Sequence, residues 1–368
     1  MTPILVVALL LVLVILTRVF KPNSLLRASR KPRSSQNPSE VISLRVYPIK
    51  SCRGFETTVA KQCMTGLDLD RRWMLVDEKT HVFLTIRQIP EMTLINTALS
   101  DDGELLVLSV TSPSSEKSKT ISIPAHPSPA WLAEHTTLAS DIKIWDTITD
   151  GYVYDASVGV NQLFSRFLNR PVVLVYKGPT PRVLKGNGDP RLLGRVQDTN
   201  FPDVLPVLVA SQASIDELNG RLKAQGHEEI TIERFRPNII IRGHRGHAWA
   251  EDSWKTVRIG NTSTTHAGSG DEKSAAGAGL EEEEEGLTYD IVARCGRCQV
   301  PNVDPQTAQK HKTQPWDMMM SYRRVDEGLK YKPCFGMLGV PRSEGEIRVG
   351  MKFEVLEETS EHFYIKGF

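Results

Sequence analysis

The chain opens on MTPILVVALLLVLVILT, an apolar run with no charged side chain before Arg18. In a helix this run reaches about 25 Å, slightly short of a hydrocarbon core of about 30 Å. Local thinning of the bilayer and snorkelling of Arg18 and Lys21 would close the gap. A basic n-region and a small-residue cleavage site are both missing, so residues 1–20 read as a retained membrane anchor rather than a signal peptide. Arg18, Lys21, Arg27, Arg30, Lys31 and Arg33 follow, with no acid before Glu40. The positive-inside rule keeps such a flank in the cytosol, so the body faces the cytosol. The outer mitochondrial membrane is preferred, with the endoplasmic reticulum as the other candidate.

Residues 21–39 are rich in Ser, Pro and basic residues and read as a tether. The pattern then changes. Short apolar runs recur, EVISLRVYPIK, RRWMLVD, HVFLTI, ELLVLSV, KTISI, DIKIWD and GYVYD, many separated by turn residues such as DDG and TDG. That spacing predicts a sandwich or barrel in the first half. ASVGVNQLFSRFLNR predicts a helix. So does SIDELNGRLKA, with Ile215, Leu218 and Leu222 on one face and Ser214 and Glu217 as a capping box. PVVLVYK, NIIIR, WKTVRIG, TYDIVAR and MKFEVLE predict further strands. The expected fold is mainly β with a few helices. Between two of those strands, residues 261–286 are polar, Gly- and Ala-rich and close on a run of glutamates; they read as a disordered surface insertion within one domain.

Composition narrows the function classes. The 368 residues are 40% hydrophobic and 24% charged, with a formal net charge of +1, so no global field favours nucleic acid. Five cysteines, an odd number, argue against a secreted disulfide framework. Two of them form the C-x-x-C of ARCGRCQVPNVDP, Cys295 and Cys298. Such a pair fits half a zinc site, a redox dithiol or coincidence. No second ligand pair follows, and the prolines oppose the helix that a thioredoxin-type dithiol opens. A further option is a single thiolate on a metal held in a cofactor, with Arg294 and Arg297 lowering the thiol pKa.

Four stretches in order, YPIKSCRG, GLDLDRRWMLVD, FRPNIII and RCGRCQVPNVDP, resemble the MOSC-domain proteins, named for the molybdenum-cofactor sulfurase C-terminal domain. The resemblance spans about Val41 to Val355 and is strongest to the membrane-anchored amidoxime-reducing components. It implies a MOSC β-barrel over 176–358 with an N-terminal β-barrel-like MOSC domain over 40–175. It also implies the molybdenum cofactor, a molybdenum ion held by the dithiolene of molybdopterin. Cys298 matches the cysteine that ligates molybdenum and is the catalytic and metal-binding candidate. Cys295 matches a neighbour that is no ligand, expected as a small buried residue. Lys50, Ser51, Arg71, Asp203, Arg236, Asn238 and Arg297 are the implied cofactor-binding residues, cations and hydrogen-bonding groups suited to a pterin phosphate. Gly296 departs from a serine, Val204 and Leu205 from hydroxyl residues, and Leu338 from a tyrosine of the family pattern.

By this resemblance the protein is a molybdenum-dependent oxidoreductase of the amidoxime reductase type. Its substrates would be N-hydroxylated compounds, amidoximes and hydroxylamines, and nitrite. Electrons would come from NADH through a cytochrome b5 reductase and cytochrome b5. One alternative is a sulfur-carrier module serving a pyridoxal-phosphate-dependent sulfurase. Another is an anchored binding protein without catalysis.

Overall fold

The structure is a computed structural model and describes residues 39–111, 118–244, 246–260 and 286–367. Apart from Ser39 and Gly286, the expected anchor, tether and acidic insertion lie outside the described residues. Among the described residues no helix is long and apolar enough to cross a membrane. The described residues form one compact unit.

Its centre is a closed barrel of seven strands. The order is Ile239–Ile241, Val207–Ser211, Cys334–Pro341, Leu287–Gly296, Trp254–Gly260, Lys352–Glu358 and Ser39–Val46, and the last pairs back onto the first. Val41 faces Ile241 and Leu44 faces Ile239 across that seam. The strand predicted at EVISLRVYPIK is therefore a stave of a barrel otherwise built beyond residue 206. Closure leaves no unpaired edge among these strands. Only Val207–Ser211 and Ile239–Ile241 pair in parallel within the ring. Parallel neighbours need a crossover, and the helix Gln212–Ala224 supplies it.

That helix buries Ile215, Leu218 and Leu222, as its periodicity predicts. Each such burial is worth about 2 kcal/mol. Its predicted capping box is not formed. The barrel strand runs directly into the helix, so the cap is Ser211, three residues earlier, without a side-chain cap bond. Ser214 lies inside the helix and accepts from Trp249 N at 2.9 Å. Glu217 accepts from Trp249 Nε1 at 3.0 Å and from the Tyr322 hydroxyl at 2.8 Å.

Phe55–Thr57 pairs onto the barrel strand Ser39–Val46, and the remaining strands form smaller antiparallel sheets. Trp73–Asp77, Val172–Lys177, Thr147–Tyr154 and Thr136–Ile144 make one sheet, and Ile95–Leu99, Leu105–Thr111 and Ser118–Pro124 a meander. One apolar cluster runs from barrel residues such as Leu44 and Val257 to Trp73, Leu108 and Phe164. The helix expected in ASVGVNQLFSRFLNR is Val160–Phe167, with Val160 and Phe164 buried. HVFLTI is no strand; Val82 and Phe83 make isolated bridges only. Ile259 pairs with Leu287, so the strands flanking the expected insertion are antiparallel neighbours.

Candidate functional site

The predicted site residues come from five separate stretches of chain, and the fold brings them together. Lys50, Ser51, Arg71, Asp203, Arg236, Asn238, Arg297 and Cys298 all border one cavity of about 460 Å³. Their backbone explains part of this. Ser51, Arg71 and Arg236 have φ of 70°, 49° and 59°, the left-handed region that turns a chain sharply. Ser51 and Arg71 sit in turns, and Arg236 closes the 3-10 turn Ile232–Phe235.

Buried Asp70 organises the cationic wall. Its carboxylate accepts from Arg71 Nη1, from Tyr47 N at 2.9 Å and from Asn238 Nδ2 at 2.9 Å. Burial pushes the Asp70 pKa up, and these donors pull it back. Asn238 completes the link: its Oδ1 accepts from Arg71 Nη1 at 3.1 Å and from Leu208 N at 3.1 Å. Arg71 also donates to the Arg236 carbonyl at 3.1 Å. Both guanidinium groups lie over the Tyr47 ring, Arg71 at 4.5 Å and Arg236 at 4.3 Å from its centroid.

Arg236 donates through Nη1 to the Cys52 carbonyl at 2.8 Å, but its buried Nη2 has no acceptor among the described residues. Burial, then the Arg71 charge, bring its pKa down to about 10, so it remains a cation at neutral pH. Arg297 repeats the pattern. Nη2 donates to the Phe235 carbonyl at 2.8 Å, while buried Nε has no acceptor among the described residues. A buried donor left unsatisfied costs about 1–3 kcal/mol. An anionic ligand against this wall would remove that cost.

Lys50 is engaged differently. Its buried ammonium donates to the Phe201 carbonyl at 2.9 Å and forms an ion pair with Asp203. Burial lowers its pKa to about 8, with Asp203 opposing the fall. Burial would raise the Asp203 carboxyl, yet Lys50 holds it well below the usual carboxylate range. Trp145 Nε1 donates to the same Asp203 oxygen at 3.2 Å. Behind this loop, buried Arg182 donates to the carbonyls of Asn200 at 3.2 Å and Pro202 at 2.9 Å. The segment Phe201–Pro206 is thus pinned from both sides.

The two cysteines differ in surroundings. Both are half-buried and line the cavity. Arg297 Nη1 lies 3.0 Å from the Cys295 sulfur, so that arginine attends Cys295 rather than Cys298. Arg294 points elsewhere, donating to the His362 carbonyl at 3.0 Å and pairing with Asp326. Of the two arginines expected to lower a thiol pKa, Arg297 thus donates to a cysteine sulfur, and Arg294 is engaged by the His362 carbonyl and Asp326. Nor is Cys295 a fully buried filler. Cys52 and Cys334 are buried, and burial pushes each thiol up to about 12, which leaves them unreactive. All five cysteines are free, and among the described residues no three His, Cys, Asp or Glu side chains converge as a metal cluster.

The departures from the family pattern have a common setting. Val204, Leu205 and Leu338 join Leu184 and Leu208 in one apolar cluster along the cavity. A Cβ at Gly296 would meet Leu329 Cδ1 at 2.6 Å, so a serine there would require Leu329 to move. Sequence reasoning missed Asp70, although it lies inside the quoted GLDLDRRWMLVD. It also missed Arg87, Trp145, Lys332, Tyr364 and Lys366, which line the cavity from segments outside the quoted motifs.

These residues fit the molybdenum cofactor. The cavity combines arginines with orphaned buried donors, suited to a phosphate, with a thiol on the same wall. Comparison with known proteins agrees in kind. The profile of the MOSC N-terminal beta barrel domain matches residues 39–171, and that of the MOSC domain matches 197–354. "Mitochondrial amidoxime-reducing component 1" of Homo sapiens is 28% identical over 88% of this chain and 84% of its own length. "Mitochondrial amidoxime reducing component 2" of Homo sapiens is 28% identical over 87% of this chain and 84% of its own. "Molybdenum cofactor sulfurase" of Arabidopsis thaliana is 32% identical over 80% of this chain, which spans only 32% of that protein. Among solved structures, the YUAD protein from Bacillus subtilis aligns over 86% of this chain and 94% of its own, with a TM-score of 0.31 and 8% identity, too distant to carry an argument. With both domain profiles matched in order along a mainly β chain that closes a seven-stranded barrel, the protein belongs to the MOSC-domain family.

Proposed function

We propose that this protein is a molybdenum-cofactor oxidoreductase that reduces N-hydroxylated compounds, amidoximes and hydroxylamines, and nitrite. The observation that carries the reading is the convergence of Cys298, Arg71, Arg236 and Arg297 on one cavity. Relatives named as amidoxime-reducing components support it. Arg236 and Arg297 would hold the pterin phosphate through the donors that now lack acceptors, with Ser51 and Asn238 beside them. Cys298 would ligate the metal. When bound, the cofactor supplies a molybdenum centre able to exchange an oxygen atom and electrons with a substrate. The chain's share is to hold that group in a fixed cationic frame, to present an apolar wall to the substrate and to limit the entry of water. Electrons would arrive from NADH through cytochrome b5 reductase and cytochrome b5. Residues 1–20 would anchor the protein, at the outer mitochondrial membrane, with its body in the cytosol.

The test is reconstitution. Full-length protein from a host that makes the cofactor is mixed with cytochrome b5, its reductase and NADH, and benzamidoxime reduction is followed. Turnover that depends on all components is expected. Fully loaded protein that leaves benzamidoxime, hydroxylamine and nitrite unchanged would reject the reading. The identity to the plant sulfurase favours one second reading, a sulfur carrier acting with a pyridoxal-phosphate enzyme. A persulfide on Cys295 or Cys298 after incubation with a sulfur donor, detected by mass spectrometry, would favour it instead.

A further inference from the structure

Beyond the last barrel strand, Lys352–Glu358, the chain turns back and runs along the cavity. The MOSC domain profile ends at residue 354, so this tail lies outside the matched domain. It has no regular secondary structure, yet buried side chains hold its backbone at successive positions. Arg294 Nη1 donates to the His362 carbonyl at 3.0 Å. Asn187 Nδ2 donates to the Phe363 carbonyl at 2.9 Å, and its Oδ1 accepts from Ile365 N at 2.7 Å. Asp326 Oδ1 accepts from Tyr364 N at 2.9 Å. Asn187, Arg294 and Asp326 are all buried. Two glycines make room for the tail. A Cβ at Gly186 would meet the Ile365 carbonyl oxygen at 2.4 Å, and one at Gly328 would meet the Tyr364 carbonyl oxygen at 2.2 Å. A loose terminus needs no such anchorage.

The anchorage has a consequence at the site. Tyr364 lines the cavity and packs in the apolar cluster that holds Leu205, Leu338 and Cys295. No described residue accepts its phenol hydrogen. Burial raises the phenol pKa, and Cys295 and Asp203, both in the cavity wall, push it the same way. The hydroxyl of this cavity-lining tyrosine stays protonated at neutral pH. It is a hydrogen-bond donor on an apolar wall.

We infer that the tail Thr359–Gly367 is a fixed strap closing the cavity, and that Tyr364 on it is a positioning residue of the substrate site. Its phenol donates to the oxygen of an N-oxygenated substrate whose apolar body lies on Leu205 and Leu338. The role of Tyr364 rests on the function proposed above; the strap does not. This also gives Arg294, in the cysteine motif, a task of its own: it ties the strap to the strand that leads into Cys295.

The strap is tested on the full chain by amide hydrogen exchange with Asn187→Ala as comparison. The Tyr364 and Ile365 amides are expected to be protected in the wild type. Asn187→Ala should lose protection at Ile365 and react faster with iodoacetamide at Cys295. Free exchange of both amides in the wild type would overturn the strap. Tyr364 is tested by Tyr364→Phe, which keeps the ring. Benzamidoxime is titrated into molybdenum-loaded protein without reductant, with tryptophan emission as the signal, since Trp145 lines the cavity. Loss of one hydrogen bond predicts binding weaker by about fivefold, with molybdenum content unchanged. Equal affinity in loaded wild type and variant would overturn the role of Tyr364. Protein that carries no molybdenum would instead overturn the proposed function, and the exchange result would still stand by itself.

Discussion

Asn238 donates to Asp70 across 2.9 Å, and together they hold the Arg71 guanidinium on the cavity wall. Asp70 is buried at 3% exposure and Asn238 at 1%. Neither side chain can turn to water. Asp70→Asn keeps the shape and removes the charge that balances Arg71. Loss of one partner of a buried pair costs about 3 kcal/mol. The expected result is an unfolding free energy lower by that margin, seen as a lower urea midpoint on apo and loaded protein alike. An unchanged midpoint would show that Arg71 needs no counter-charge.

Lys50 adds a pH dependence. Its pKa of about 8 means that it is charged at pH 7 and loses its charge as pH rises through that value. Attraction for an anionic cofactor and for Asp203 is therefore present below pH 8 and lost above it. Loaded wild-type protein should release molybdenum and pterin faster on dialysis at about pH 9.5 than at about pH 7. Lys50→Met should release them at similar rates at both. Equal retention by the wild type at the two pH values would count against a role for this charge.

A second titration bears on stability alone. Burial raises the Glu251 carboxyl to about 7, with Ser214 and Arg323 opposing and Asp252 adding to the rise. The folded pKa lies above the unfolded one, so the stability it contributes is complete at low pH and is lost as pH rises through about 7. Thermal unfolding of the wild type and Glu251→Gln should diverge between about pH 5 and 8, the wild type losing up to about 3 kcal/mol relative to the variant. Parallel curves would mean that the carboxylate finds a partner or water on ionising.

The eight site residues were legible because they stand in short strings that keep their order along the chain. Strand content was legible from alternation, and the helix Val160–Phe167 from its apolar face. Asp70 was not, because a carboxylate beside two arginines reads as a solvated surface pair until burial is known. Tyr364 was not, because nothing local marks an irregular tail as anchored; its partners Asn187 and Asp326 lie far off in sequence. The capping box at Ser214 and Glu217 failed for a related reason. A strand that closes a barrel dictated where the helix starts, and local capping chemistry gave way to that connection.

The cysteines should separate on substitution. Cys298→Ala should abolish benzamidoxime turnover, since it removes the thiolate proposed to ligate the metal. Cys295→Ala removes the sulfur that accepts from Arg297 and should cost less, on the order of tenfold or below. Steady-state rates, normalised to molybdenum content, decide between them. The reverse order would move the ligand to Cys295.

The most direct test of the account is the metal and pterin content of the full-length protein made in a cofactor-competent host. The account predicts molybdenum and pterin in equal amounts, matching the protein mole for mole, and reduced retention in Arg236→Ala. Folded protein that carries neither above the host background would contradict it.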